Sequence, residues 1–252
     1  MISSLQNEKV KLVKALQTSA KSRRKAERVA LEGMRLVRDA LTAGYKPDFV
    51  LVTATTEMGT ISGLLQEAGL TAMVVSDEVM REVSDTEQPQ GIVGVFETPD
   101  PTLPEQPRRV LILDSIRDPG NLGTILRTAA AAGVEAVLLS PTCVDPYNPK
   151  VLRSGMGAHF RVPVVGMSWE AMRDYCDGVR VMIATGDADE DYDQVDWSGR
   201  WGVIIGSEAH GAGDEARKLA SGRIRIPMAA DTESLNAAVA AGVILFEAVR
   251  QA

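Results

Sequence analysis

The sequence predicts a two-part α/β protein: a small layered domain followed by a larger, mostly parallel sheet covered by helices. Three observations lead there. Apolar runs alternate with stretches of helical period along the whole chain, the pattern of layered α/β architecture. Val110-Leu111-Ile112-Leu113 is continuously apolar, as befits a parallel strand covered on both faces. Thr98 to Pro107 carries four of the chain's 12 prolines, and proline fixes φ and withholds a backbone donor, so this stretch reads as a stiff extended seam. The expected division is residues 1–98, a linker at 99–107, and a second domain at 108–252.

Each element has its own signal. Leu5, Leu12, Val13 and Leu16 form a stripe at helical spacing. Residues 28–32 read as a strand, with Gly33 opening a helix that reaches Ala43. Strands at 49–52, 72–75 and 91–96 alternate with helices at 61–68 and 77–83. Past the seam, strands are expected at 110–113, 136–139, 162–165, 179–184, 203–205 and 224–226. Helices are expected near 121–132, 149–156, 168–176, 213–220 and 234–250.

Composition narrows the function classes. With 252 residues, 45% hydrophobic and 4% aromatic, the chain can bury a sizeable aliphatic core. The net charge of −7 argues against indiscriminate coating of nucleic acid. Residues 1–28 nevertheless hold eight basic side chains against two acidic ones, a local arm suited to a polyanion approached from one side. Cys143 and Cys176 lack zinc spacing, so neither a metal site nor a disulfide scaffold is expected. No apolar run approaches the roughly 20 residues of a membrane span. The N-terminus has no apolar signal core, and a cytoplasmic protein is expected.

In sheets of this kind ligands sit at the carboxyl ends of the strands, which directs attention to three loops. The first follows Leu113 and contains Asp118-Pro119-Gly120-Asn121, with Asn121 a good helix cap and Arg127 on the following small-residue helix. The second, Gly206-Ser207-Glu208-Ala209-His210-Gly211, is glycine-rich, but neither a Gly-x-Gly-x-x-Gly nor a Gly-Lys-Ser/Thr signature is present, which disfavours a dehydrogenase or a phosphate-cradling enzyme. The third runs from Ile226-Pro227-Met228 to Ser234-Leu235-Asn236 and leads into a helix striped by Leu235, Val239, Val243 and Phe246, thin enough to pack closely against another subunit.

Taken together, Asn121 to Arg127, Gly206 to Gly211 and Ile226 to Asn236 resemble the three motifs of the SpoU (TrmH-like) RNA 2′-O-ribose methyltransferases in order and spacing. The segment from Asp145 to Gly157 adds a fourth similarity, and the match spans about residues 108–250. The first half is similar to the family's L30e/L7Ae-like RNA-binding domain, through its layout and the Ser84 to Gly91 segment.

The resemblance implies a SPOUT fold, a Rossmann-like sheet whose C-terminal part forms a trefoil knot. It implies S-adenosylmethionine as cofactor, with Gly206, Ile226, Met228 and Leu235 at its pocket, and no metal. Arg127, Asn121, Ser234, Asn236 and Glu208 are the implied catalytic set. A guanidinium presents only donors while charged, so Arg127 suits binding an acceptor oxygen better than acting as a base. Arg153 and the arm residues Lys21, Arg23, Arg24 and Lys25 are expected to contact RNA, ribosomal RNA in preference to tRNA, in a homodimer. A non-catalytic RNA-binding or ribosome-assembly protein on the same fold is the competing expectation.

Overall fold

The computed structural model describes residues 1–207, 211–229 and 234–251. The chain divides into two compact units, one comprising Met1–Asp100 with Tyr147–Phe160, the other Pro101–Pro146 with Arg161–Ala252.

The first unit contains α1 (Glu8–Thr18), α2 (Ala20–Ala26), β1 (Arg28–Glu32), α3 (Met34–Thr42), β2 (Pro47–Thr53), α4 (Thr60–Glu67), β3 (Met73–Val75), α5 (Asp77–Val83) and β4 (Ile92–Glu97). It also contains α7 (Pro149–Gly155), from the second half of the sequence. Its sheet has the order β1-β4-β2-β3, with β4 antiparallel to both neighbours. Successive side chains of β2 point to opposite faces. Val50 and Val52 join α3 and α4 through Leu36, Val37, Ile61 and Leu65, whereas Phe49 and Leu51 join α1 and α5 through Val13, Leu16, Val79 and Met80. Gly33, at φ 100°, turns the chain from β1 into α3, and a Cβ there would meet the Gln90 side chain.

The basic arm is not one exposed helix. Ser19 ends α1 and caps α2, its hydroxyl accepting from Ser22 N at 3.2 Å. That break turns Arg23 inward: it is 5% exposed and donates through Nη1 to Leu16 O at 2.6 Å. Arg23 therefore holds the α1–α2 corner, which corrects the expectation that it faces RNA. Lys21, Arg24 and Lys25 are exposed.

The second unit is a seven-stranded, all-parallel sheet in the order β7-β6-β5-β10-β8-β11-β9. Its strands are β5 (Arg109–Leu113), β6 (Ala136–Leu139), β7 (Val164–Gly166), β8 (Arg180–Ala184), β9 (Glu190–Asp191), β10 (Trp201–Ile205) and β11 (Gly222–Arg225). The helices are α6 (Pro119–Ala131), α8 (Trp169–Tyr175), α9 (Asp214–Leu219) and α10 (Ala237–Gln251). On β5, Val110, Leu111, Ile112 and Leu113 are all fully buried, as continuous apolarity requires of a central parallel strand. The small residues of α10 let it lie close to α6, with a Cβ on Gly242 falling 3.7 Å from the Thr128 methyl. Its other face leaves Val239 and Phe246 half exposed.

Among the described residues no helix is long and apolar enough to cross a membrane, and no three His, Cys, Asp or Glu side chains cluster as metal ligands.

Candidate active site

Parallel strands all release their loops at one edge, so the loops after β5, β8, β10 and β11 converge there. On the first of these, Asp118 rather than Asn121 caps α6: its Oδ1 accepts from Asn121 N at 2.7 Å, with Pro119 in the first turn. Both residues suit a cap by type, and the proline at the first helical position decides between them. Asn121 is thereby freed for another contact, and its Oδ1 accepts from Asn236 Nδ2 at 3.0 Å. Asn236 in turn caps α10, its Oδ1 accepting from Ala238 N at 2.9 Å and Val239 N at 3.3 Å. The first and third loops are thus tied side chain to side chain across 115 positions of sequence. Arg127 lies two turns further along α6, on its exposed surface.

The second loop folds back on itself. Ser207 N donates to Gly211 O at 3.0 Å, and Gly211 N donates to Ser207 O at 2.8 Å. A Cβ at Gly206 would fall 2.3 Å from Ala212 N and from the Gly211 carbonyl carbon. Glycine is required there by the loop's own closure, a different reason from the ligand approach inferred from sequence. Glu208 and His210 lie outside the described residues.

A cavity of about 220 Å³ opens between the strand-end loops after β8, β10 and β11. All four expected cofactor residues, Gly206, Ile226, Met228 and Leu235, line it together with Ser234, and no described lining residue carries a charge. Ile205, Ile226 and Leu235 supply apolar walls suited to a flat base, while the main chain of the loops supplies donors and acceptors for its edges. Thr185 and Gly186, at the end of β8, also line the cavity. Sequence reading missed them, although a Thr-Gly step directly after an apolar strand marks a sheet edge. Thr185 donates to Asp187, whose carboxyl is held below the usual carboxylate range by that bond, with burial opposing and Arg223 assisting.

Burial pushes the Cys143 thiol up, and raises that of Cys176 to about 11, so neither supplies a ready thiolate at neutral pH.

The expected RNA contacts fall in the first unit. Arg153 on α7 donates through Nη1 to Asp85 Oδ2 at 2.7 Å, and its side chain is 30% exposed. Leu152, Tyr147 and Phe160 of the same segment join the core that contains α3 and α4. That apolar contact explains why α7 belongs with the first unit, an assignment that differs from the expected 108–252 boundary.

The comparisons with known proteins agree across both halves. Residues 108–246 match the SpoU rRNA Methylase family, and residues 7–94 match the MRM3-like substrate binding domain. The chain is 38% identical to mitochondrial rRNA methyltransferase 3 of Mus musculus, with 91% of this chain and 69% of that protein covered. It is 35% identical to the 23S rRNA (guanosine(2553)-2′-O)-methyltransferase RlmP of Bacillus subtilis (strain 168), over 97% of each chain. Among solved structures, the AdoMet-bound rRNA methyltransferase from Sinorhizobium meliloti superposes with a TM-score of 0.88 at 31% identity, covering 99% of this chain and 97% of that one.

Proposed function

The chain belongs to the SpoU rRNA methylase family, and we propose that the cavity at the carboxyl edge of its parallel sheet is where it binds S-adenosylmethionine. The protein is an S-adenosylmethionine-dependent RNA 2′-O-ribose methyltransferase acting on ribosomal RNA. The observation that carries the reading of the site is the convergence of Gly206, Ile226, Met228 and Leu235 on one cavity whose described lining is uncharged, with the Asn121–Asn236 pair tying the first loop to the third, which lines it.

The bound cofactor supplies a methyl group already activated on a sulfonium. The chain's task is therefore alignment of the ribose and handling of its 2′-hydroxyl. Ile205, Ile226 and Leu235 hold the adenine by apolar contact, and loop backbone reads its edges. Arg127 binds the acceptor's phosphate or 2′-oxygen through its planar fork and stabilises charge as the hydroxyl proton departs. Asn121 orients the acceptor, held in turn by Asn236. Ser234 sits on the cavity wall, where its hydroxyl orients the cofactor. Glu208, outside the described residues, is assigned to organising the second loop rather than to acting as a base.

Lys21, Arg24 and Lys25 attract the RNA backbone, and Arg153 meets a phosphate by exchanging Asp85 for it. Large-subunit ribosomal RNA is the substrate favoured by the likeness over the whole chain to RlmP, a 23S rRNA methyltransferase. The protein acts as a homodimer through α10, whose Val239, Val243 and Phe246 stripe leaves Val239 51% and Phe246 52% exposed. Transfer of tritiated methyl to ribosomal RNA from cells lacking the protein tests the whole reading. One 2′-O-methylated nucleotide, recognised by its resistance to alkaline cleavage, is the expected product. A methylated base, or no transfer, overturns it.

A further inference from the structure

Asp114 is the first residue past β5, and it is 5% exposed. Its backbone continues the sheet, Asp114 N donating to Ile205 O at 2.9 Å. Its carboxylate has two partners: Oδ2 accepts from Gly213 N at 2.8 Å, and Oδ1 accepts from Ser115 Oγ at 3.0 Å. Gly213 closes the hairpin that starts at Gly206, and it directly precedes α9. Between these ends lie Ser207 and Gly211, which pair with each other and face the cavity. One end of this hairpin is fixed by β10. The other is fixed by the Asp114–Gly213 bond, 99 positions apart in sequence.

We infer that Asp114 is a positioning residue for cofactor binding: it pins the far end of the second loop so that the wall formed by Gly206, Ser207 and Gly211 stands at the right distance from Ile226 and Leu235. The inference rests on the cavity being the S-adenosylmethionine site. A buried acceptor whose donor belongs to the same loop that forms a ligand wall contributes through that wall, because an unpinned loop must be ordered when the ligand arrives. Asp114 does not line the cavity. The geometry at Gly213 allows the bond to be removed from either side. Gly213 has φ −77°, within proline's range; proline there deletes the N–H, and its ring, standing where that hydrogen pointed, also displaces the Asp114 carboxylate from its 2.8 Å contact.

The test is calorimetric titration of S-adenosylmethionine into the full-length wild type, Asp114→Ala, Asp114→Asn, Gly213→Pro and the Asp114→Ala/Gly213→Pro double variant, with steady-state kinetics on RNA. Loss of a charge-assisted bond of this kind is expected to raise the cofactor dissociation constant about tenfold in Asp114→Ala and in Gly213→Pro. The double variant is expected to be no worse than either single one, because both remove the same bond. Asp114→Asn keeps an oxygen for Gly213 N and is expected to restore binding to within about threefold. The KM for S-adenosylmethionine rises, while the KM for RNA stays within about twofold, a split that general loss of fold would not produce. If Asp114→Ala does not fold, Gly213→Pro decides alone. Unchanged cofactor affinity in the folded single variants, or fully additive effects in the double, overturns the positioning role. A wild type that binds no S-adenosylmethionine at all overturns the reading of the cavity itself, and the positioning role with it.

Discussion

Substituting Asn236 separates two jobs that the structure gives to one amide. Its oxygen caps α10 through Ala238 N and Val239 N, and its Nδ2 donates to Asn121 Oδ1. Losing a cap of this type costs about 1 kcal/mol. The cross-loop bond is solvent-exposed and adds about 0.5 kcal/mol. Asn236→Ala should therefore lower unfolding free energy by roughly 1.5 kcal/mol in urea titrations. Asn236→Asp is the informative partner. A carboxylate keeps the cap and gains about 0.3–1 kcal/mol from its charge at a helix N-terminus, so stability should stay at or slightly above the wild-type value. It has no proton to give Asn121, however, and two acceptor oxygens would face each other. Asn121 must then reverse its amide and present an acceptor where it presented a donor. Kinetically, kcat for methyl transfer should fall about tenfold, equivalent to roughly 1.4 kcal/mol of transition-state stabilisation. A fully active, stable Asn236→Asp would show that the Asn121–Asn236 bond has no part in catalysis. An Asn236→Ala variant with undiminished stability would refute the capping role.

Four further outcomes follow from the same structure. Arg127→Lys keeps a cation but loses the planar fork, and kcat should drop at least about tenfold with S-adenosylmethionine affinity unchanged, by single-turnover assay and calorimetry. Neutralising Lys21, Arg24 and Lys25 together should weaken RNA binding and flatten its salt slope by about two to three units in filter binding. Arg23→Ala should instead act on folding, costing about 2 kcal/mol in denaturant titration with little change in the salt slope, because its guanidinium satisfies the buried Leu16 carbonyl. Cleavage at a protease site placed within residues 101–107 should leave the two fragments associated under native conditions. Leu152, Tyr147 and Phe160 from the later fragment are packed in the core of the earlier one, and co-elution on gel filtration reports this.

Strands with continuous apolarity were readable because a central parallel strand has no polar face to confuse the pattern. β5 is the clearest case, and the strand ends led directly to the loops that line the cavity. β9 escaped because two residues, Glu190 and Asp191, carry no periodicity at all; their pairing with β11 is tertiary. The seam of prolines marks one passage between the units but says nothing of Tyr147–Phe160, whose membership depends on where Leu152 finds apolar neighbours. Arg23 looked like its basic neighbours because composition does not report the break at Ser19 that turns one side chain of four inward. Asp114 stood in plain view at the end of β5, yet its partner Gly213 lies on a strand-end loop 99 residues away, a distance no local pattern spans.

S-adenosylmethionine is proposed to bind in the cavity lined by Gly206, Ile226, Met228 and Leu235. A crystal structure of the protein with the cofactor tests it directly. Adenine is expected between Ile226 and Leu235, with the methyl group opening toward the side of the cavity where Asn121 and Asn236 meet. Cofactor density at any other place on the chain would contradict it.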